Sequence, residues 1–203
     1  MLASISPLGE RARGNRWSTT VAMYVVASAL GGAFTGAVFG GLGALVHAVL
    51  PWSDATGALL GAAFALAALV ADFGVRGWRY PTIHRQVNEL WLDRYRSWVY
   101  AVGFGFQLGL ALVTIVTSTS TYVVLALEFI SASLWNGVAI GTVFGVARAL
   151  PLIAMFPARD ADRLFAAHRR FQMLARPFDR LTRAAMAVAA AALTAVAVVG
   201  ASA

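Results

Sequence analysis

The sequence predicts an all-α integral membrane protein, a polytopic helix bundle of about five spans with two amphipathic helices at the membrane interface. Hydrophobic residues make up 60% of the chain and charged residues 12%. In a typical soluble domain about half of the residues are apolar and about a quarter are charged. All 16 basic side chains are arginines, and they fall in three stretches, 11–16, 76–96 and 148–183. If the first apolar run leaves the cytoplasm, every arginine lies on one side of the membrane, as the positive-inside rule requires.

The first two spans are predicted at 20–50 and 56–73, on either side of the turn-like segment PWSDATG. The first apolar run is longer than the roughly 20 residues needed to cross a bilayer, so we expect it to tilt or kink. Its glycine pairs, at 31–32 and 40–41, are the predicted places to bend.

Two amphipathic segments, 81–96 and 160–182, are predicted to lie in the cytoplasmic interface. Pro81 suits the first turn of a helix, and after it apolar residues recur at helical spacing while charged residues take the other face. In the second segment Phe165 and Phe171 oppose many arginines. Basic amphipathic helices of this kind bind bilayers with anionic headgroups.

Three further spans are predicted at 98–117, 122–146 and 184–199, and the polar link TSTST joins the first two of them. With the N-terminus in the cytoplasm, PWSDATG and TSTST lie outside and the arginine stretches lie inside. The sequence thus predicts a single multi-pass transmembrane domain, residues 1–203, in the plasma membrane of a bacterium.

The second and fourth predicted spans share a pattern of a glycine, another glycine four residues later and a phenylalanine three residues beyond it. These residues are Gly57, Gly61 and Phe64 in one span, and Gly137, Gly141 and Phe144 in the other. The pattern indicates either a duplicated two-span unit or only the composition common to membrane helices. Glycines four residues apart also predict close helix packing, or alternatively a seam that slides during function.

Glu128 is the strongest candidate for a functional residue. It lies about 9 Å inside the outer end of the predicted span 122–146, where a charged side chain is usually paired, protonated or facing water. We predict a polar path between the third and fourth spans, formed by Glu128, Gln107, Thr114, Asn136 and Ser131. The alternatives are a protonated acid hydrogen-bonded to a neighbouring hydroxyl group, or a glutamate that snorkels outward.

No motif of an enzyme or of a cofactor site is present in the sequence. The chain has no cysteine, which excludes thiolate ligands and thiol redox chemistry by its own side chains. We therefore expect no catalytic residues, cofactor or metal, and a metal site would require His47 and Glu128 to converge. The net charge of +7 belongs to arginines that flank spans. The expected partners are therefore the anionic headgroups of the bilayer and a protein partner or second copy of the chain, and not nucleic acid.

The segments RYRSWVYAVGFGFQLGLALVTIVTSTSTY and GVAIGTVFGVARALPLI resemble the membrane superfamily that includes the cytochrome c biogenesis and disulfide-reductase transmembrane proteins and some small exporters. The likeness covers the part of the chain from Trp91 to Arg183 and rests on the placement of glycine, aromatic residues and proline. It implies a similar fold. The electron carriers of that superfamily use a membrane cysteine pair and have six spans, so the thiol relay carries over to no position here.

Three functions remain open at the level of the sequence. The polar path favours a small transporter or exporter of an ion or small solute. The alternative is a non-catalytic accessory or assembly subunit of a larger membrane complex, which the small size of the chain favours. The third hypothesis, a membrane enzyme or redox carrier with a bound cofactor, has no supporting motif.

Overall fold

The computed structural model describes residues 5–73, 91–111, 118–154, 156 and 160–202, without the side chains of Asp93 and His168. Within these ranges the chain forms helices and no strand, which confirms the all-α prediction. The helices are α1 (Pro7–Ala12), α2 (Trp17–Val49), α3 (Asp54–Asp72), α4 (Trp91–Arg94), α5 (Ser97–Gly109), α6 (Ser120–Ile130), α7 (Leu134–Ile153) and α8 (Ala161–Ser202). Among them α2, α3, α7 and α8 are long and apolar enough to cross a membrane.

The central helix is α2, whose 33 residues extend over about 50 Å. Its glycines form a seam with α7, which runs antiparallel to it. A side chain on Gly36 would collide with the carbonyl oxygen of Gly137, and one on Gly32 with that of Gly141. The Ser28 hydroxyl donates to the Gly145 carbonyl at 2.7 Å. The two backbones therefore touch, as predicted from the glycine spacing.

The second helix pair is α3 with the C-terminal half of α8, and it is joined by side chains. Ala65 and Ala68 pack against Met186 and Ala190, and a Cβ on Gly61 would meet a methyl group of Leu193 at 3.2 Å.

The end of the bundle that holds residues 50–53 and 131–133 is called the Trp52 end below. The opposite end, where α2 begins at Trp17 and α7 ends, is called the arginine end.

The predicted span 98–117 differs from the helix found there. Helix α5 has 13 residues and extends about 20 Å, too short for a hydrocarbon core of about 30 Å. It lies parallel to α2, with Gly105 on Tyr24 and Gly109 on Ser28. The helix then stops, because Ala111 has a φ of 59°, in the left-handed region that a right-handed helix cannot continue through.

The predicted span 122–146 is divided into two helices of opposite direction. Helix α6 starts beside the last turns of α3, where the Thr119 hydroxyl donates to the Ala68 carbonyl at 3.0 Å. It ends at the Trp52 end, where Phe129 stacks on Trp52 at 6.5 Å. Ala132, with a φ of 46°, turns the chain, and Ser133 caps α7 by accepting a hydrogen bond from the amide of residue 136 at 3.3 Å.

Helices α5 and α6 therefore run in the same direction beside α2, while α7 returns in the opposite direction. The turn at the Trp52 end is 131–133. In the TSTST segment, which was predicted to lie at that end, Ser118 lies instead beside Asp72. The predicted position of this turn is wrong, because a cluster of serine and threonine residues is also typical of an outer loop.

The interfacial helix 160–182 and the span 184–199, predicted as separate elements, form one helix of 42 residues, α8. The helix continues through Pro177, and no glycine or turn-forming cluster lies between Arg180 and Ala184 to end it. Most of the other predicted interfacial helix, 81–96, lies outside the described residues, and its last part forms α4 (Trp91–Arg94).

Candidate functional site

Glu128 lies on α6, two residues before its end, and is 1% exposed. Its carboxyl group faces α7, with Oε1 at 3.0 Å from the position that a Cβ on Gly141 would occupy. Gly141 is also the residue at which α7 touches Gly32 of α2. Because Gly141 has no side chain, it leaves room for α2 on one side and for the buried carboxyl group of Glu128 on another.

The second carboxyl oxygen of Glu128, Oε2, has no hydrogen-bond partner among the described residues. Buried polar atoms are almost always hydrogen-bonded in native proteins. Burying an isolated charge costs far more than burying a neutral polar group. A buried acid with an open acceptor is therefore a place where a proton or a hydrogen-bond donor can be held.

The other residues of the predicted polar path occupy different surroundings. The Ser131 hydroxyl donates to the backbone carbonyl of Glu128 at 2.7 Å, and not to its carboxyl group. Asn136 is exposed in the first turn of α7, and Gln107 is half-buried on α5. Thr114 lies outside the described residues. The structure thus brings Ser131 to Glu128, and the joint role of the five residues stays a prediction.

The interruption between α5 and α6 is stabilised by polar side chains from other helices. Arg148 of α7 donates from Nη1 to the carbonyl of Leu108 at 2.9 Å, in the last turn of α5. Asp72 accepts from the Ser118 hydroxyl and the Thr119 amide, both at 3.3 Å. Broken helices persist at membrane depth only where the freed backbone groups find such partners. Arg148 thus caps the end of α5, because its cationic group complements the C-terminal carbonyls of that helix.

A second buried acid, Glu10, joins the N-terminal segment to the bundle. It is 0% exposed, and its two oxygens accept from the Tyr100 hydroxyl at 2.6 and 2.7 Å. Thr20 donates to it at 2.9 Å, and the Arg13 guanidinium at 2.6 Å. These contacts fix α1 against the start of α2 and α5.

The surroundings of Glu10 also affect the basic side chain beside it. Burial acts to lower the pKa of Arg13, but the hydrogen bond and the charge of Glu10 outweigh it, so the pKa of Arg13 is raised. Its guanidinium lies 5.9 Å from the Tyr100 ring centre, and Asn15 donates to the Tyr100 hydroxyl at 3.2 Å. The Arg13 guanidinium therefore stays protonated at physiological pH.

The sequence contains a local signal for α1. Ser6 followed by Pro7 is typical of a helix start, and in the structure the Ser6 hydroxyl accepts from the amide of Gly9 at 3.2 Å. No local pattern, however, connects Glu10 to a tyrosine 90 positions away. For metals, the described residues contain no cluster of three or more histidine or acidic side chains.

Two curated proteins are similar to this chain. It is 30% identical over 162 residues to the methylamine utilization protein MauF of Methylophilus methylotrophus, a match that covers 78% of the chain and 56% of the relative. It is 28% identical over 141 residues to the MauF of Methylobacillus flagellatus, covering 70% of the chain and 49% of the relative. The chain spans about half the length of these relatives.

Other comparisons give no match: no protein-family model matches the sequence, and no solved structure matches it. The resemblance to the cytochrome c biogenesis and disulfide-reductase superfamily is wrong, because the relatives found carry the name of a methylamine utilization protein. The prediction of a transporter or exporter is wrong for the same reason, and the accessory-subunit alternative gains no support from these names. The placement of glycine and aromatic residues does not identify a superfamily, because it is common to many membrane helices.

Proposed function

We propose that this chain is a membrane-embedded protein that serves methylamine utilization. The observation that carries the proposal is the similarity to two MauF proteins, one of them over 78% of the chain. The apolar helices agree with a membrane location. Within the bundle, Glu128 and the interruption between α5 and α6 are the proposed site, and Gln107, Thr114, Ser131 and Asn136 are the other residues that the sequence predicts for it.

The proposed membrane arrangement has five crossings, with the N-terminus in the cytoplasm and the protein in the bacterial plasma membrane. The crossings are α2, α3, the α5–α6 passage, α7 and the C-terminal half of α8. The support is charge: Arg16 precedes α2, Arg96 precedes α5, and Arg183 lies over Phe73 at the end of α3 at 5.1 Å. All three lie away from the Trp52 end, as the positive-inside rule predicts for a cytoplasmic face.

The proposed partners are the anionic headgroups of the bilayer, and a protein partner or a second copy of the chain. Nucleic acid is not proposed, because basic residues that flank spans satisfy topology without any nucleic-acid contact. The match covers 56% and 49% of the two relatives, so the activity of their remaining parts is not proposed for this chain.

Genetic complementation tests the function. In a Methylophilus methylotrophus strain that lacks its MauF, the matching segment is replaced by this chain within the full-length protein. We expect growth with methylamine as the only nitrogen source to be restored, while growth on ammonium is the same with and without the chimera. A chimera that is present in the membrane at normal amount and gives no growth on methylamine would overturn the proposal.

Site-directed labelling tests the arrangement, and the absence of cysteine makes single-cysteine variants straightforward. A membrane-impermeant maleimide applied to whole cells should label Asp54→Cys and Leu134→Cys at the Trp52 end. Asp162→Cys should react only after the membrane is opened. Leu134→Cys is the most informative variant, because the continuous span 122–146 predicted from the sequence would place this residue at mid-membrane, where the reagent cannot reach it. Labelling of Asp162→Cys in intact cells would overturn the orientation.

A further inference from the structure

A groove of about 870 Å³ lies between the last turns of α7 and the first half of α8. Leu150 and Pro151 lie in its α7 wall, and Phe171, Leu174 and Phe178 are the large apolar residues of its α8 wall. Leu150 is 52% exposed and Phe178 is 57% exposed. Two helices thus line, with apolar side chains, a space whose volume can hold a hydrocarbon chain.

Two cations line the same groove. Arg163 and Arg170 both contribute to its wall, and because they are seven residues apart on α8 they lie on one face, two turns from each other. Arg163 is held by Asp160, with 3.2 Å between Nε and Oδ2. Arg170 is exposed, and no ion pair is found for it among the described residues. The lining therefore combines apolar walls with positive charge.

The combination identifies the chemistry of an occupant. A neutral hydrocarbon would satisfy the apolar walls and leave the guanidinium group of Arg170 without an anion, whereas a free anion would leave the walls open to water. A phosphate ester on acyl chains matches both parts, since guanidinium groups bind phosphate through paired hydrogen bonds. Basic pockets between membrane helices on the cytoplasmic side are typical binding places of anionic headgroups.

We propose that this groove is a specific site for one anionic phospholipid of the leaflet at the arginine end. The acyl chains lie between Leu150 and Phe171, and the phosphate contacts Arg163 and Arg170. This inference rests on the proposed membrane location, but not on the proposed role in methylamine utilization.

Native mass spectrometry of the detergent-solubilised chain, titrated with phosphatidylglycerol or phosphatidylcholine, tests the site. We expect one phosphatidylglycerol to bind saturably, about 10- to 30-fold more tightly than phosphatidylcholine, since each arginine near a headgroup favours an anionic lipid. The double variant Arg163→Gln and Arg170→Gln should bind both lipids with similar affinity. Equal affinity of the unaltered chain for the two lipids, or binding of many lipids without saturation, would refute the site.

The matched control is the double variant Arg176→Gln and Arg180→Gln, which removes the same charge from the same helix outside the groove. It should keep the preference for phosphatidylglycerol, and an equal loss in this control would show that only the general charge of α8 matters.

Ala167→Trp, which fills the groove without changing charge, should weaken the binding of phosphatidylglycerol. Unchanged binding there would contradict the position of the acyl chains. Inorganic phosphate should displace the lipid no better than sodium chloride of equal ionic strength, and stronger displacement would indicate an anion site instead.

Discussion

Glu10 and Glu128 are both buried, with exposures of 0% and 1%, yet their surroundings are opposite. Glu10 accepts hydrogen bonds from a tyrosine, a threonine and an arginine, whereas one oxygen of Glu128 has no partner among the described residues. The first acid lies in the N-terminal segment and joins three helices. The second lies against the glycine seam. Burial alone therefore does not define a role; the partners of the buried group do.

Replacing Glu10 should have the largest effect. Glu10→Gln removes the charge that faces Arg13 and sets an amide group against donors, so we expect a loss of about 2–3 kcal/mol in the free energy of unfolding. Reversible denaturation in mixed micelles measures it. Asp160→Asn, at an exposed ion pair, is the control and should change stability by less than about 1 kcal/mol. Equal effects of the two variants would mean that the Glu10 cluster contributes no more than a surface pair.

Adding a methyl group beside Glu128 is expected to come next. In Gly141→Ala the new Cβ meets the Gly32 carbonyl and the Glu128 carboxyl group, so α2 and α7 must separate, at a cost of about 2 kcal/mol. Thermal unfolding of the detergent-solubilised protein provides the measurement. Gly41→Ala is the control, because its nearest neighbour is a Leu134 methyl group at 3.9 Å, and it should be neutral. A Gly141→Ala variant as stable as the control would contradict the close seam.

Removing one donor from Glu10 gives a smaller change. Tyr100→Phe leaves the ring in place and deletes the hydroxyl that contacts both Glu10 oxygens, so we expect a loss of about 1.5 kcal/mol. Limited proteolysis should also cleave the N-terminal segment faster, since α1 is then less firmly bound. Tyr95→Phe is the control, because Tyr95 is 48% exposed, and it should change neither the free energy of unfolding nor the rate of cleavage. If cleavage of the Tyr100 variant is not faster, Glu10 does not hold α1 through this tyrosine.

The smallest stability effect is expected for Glu128→Gln, and it completes the comparison with Glu10→Gln. The amide keeps the shape of the side chain and is cheaper to bury than a charge, so stability should stay within about 1 kcal/mol of the original or rise. The denaturation used for Glu10→Gln measures this as well. Destabilisation as large as that of Glu10→Gln would show that Glu128 has strong partners in the folded protein. Loss of growth on methylamine with stability retained would instead place Glu128 in the function.

Much of the fold was predictable because it depends on local composition and period. The two apolar runs at 20–50 and 56–73 correspond to α2 and α3, and the glycine spacing predicted the close approach of helices. The interruption after α5 was not predictable, because it depends on Arg148 and Asp72, which lie far along the chain from the backbone groups they stabilise. Apolar periodicity continues through Ala111 and Ala132 and gives no sign of their left-handed backbone.

The candidate site was predictable in part for the same reason. Glu128 was identifiable as a carboxylate inside an apolar run, where such a group is rare. Its open acceptor and its position against Gly141 depend on how α6 turns back into α7. The Glu10 cluster was missed, since a polar N-terminal segment resembles a tail until Tyr100 is brought to it.

The sequence by itself determined that the chain is helical and apolar, and that the arginines which the structure describes lie away from the Trp52 end. Hydropathy and charge act through the solvent and need no partner residue. The tertiary structure decided where α5 and α6 are interrupted and which of two buried acids is satisfied. These features depend on contacts between residues that are distant in the chain, and only packing brings such residues together.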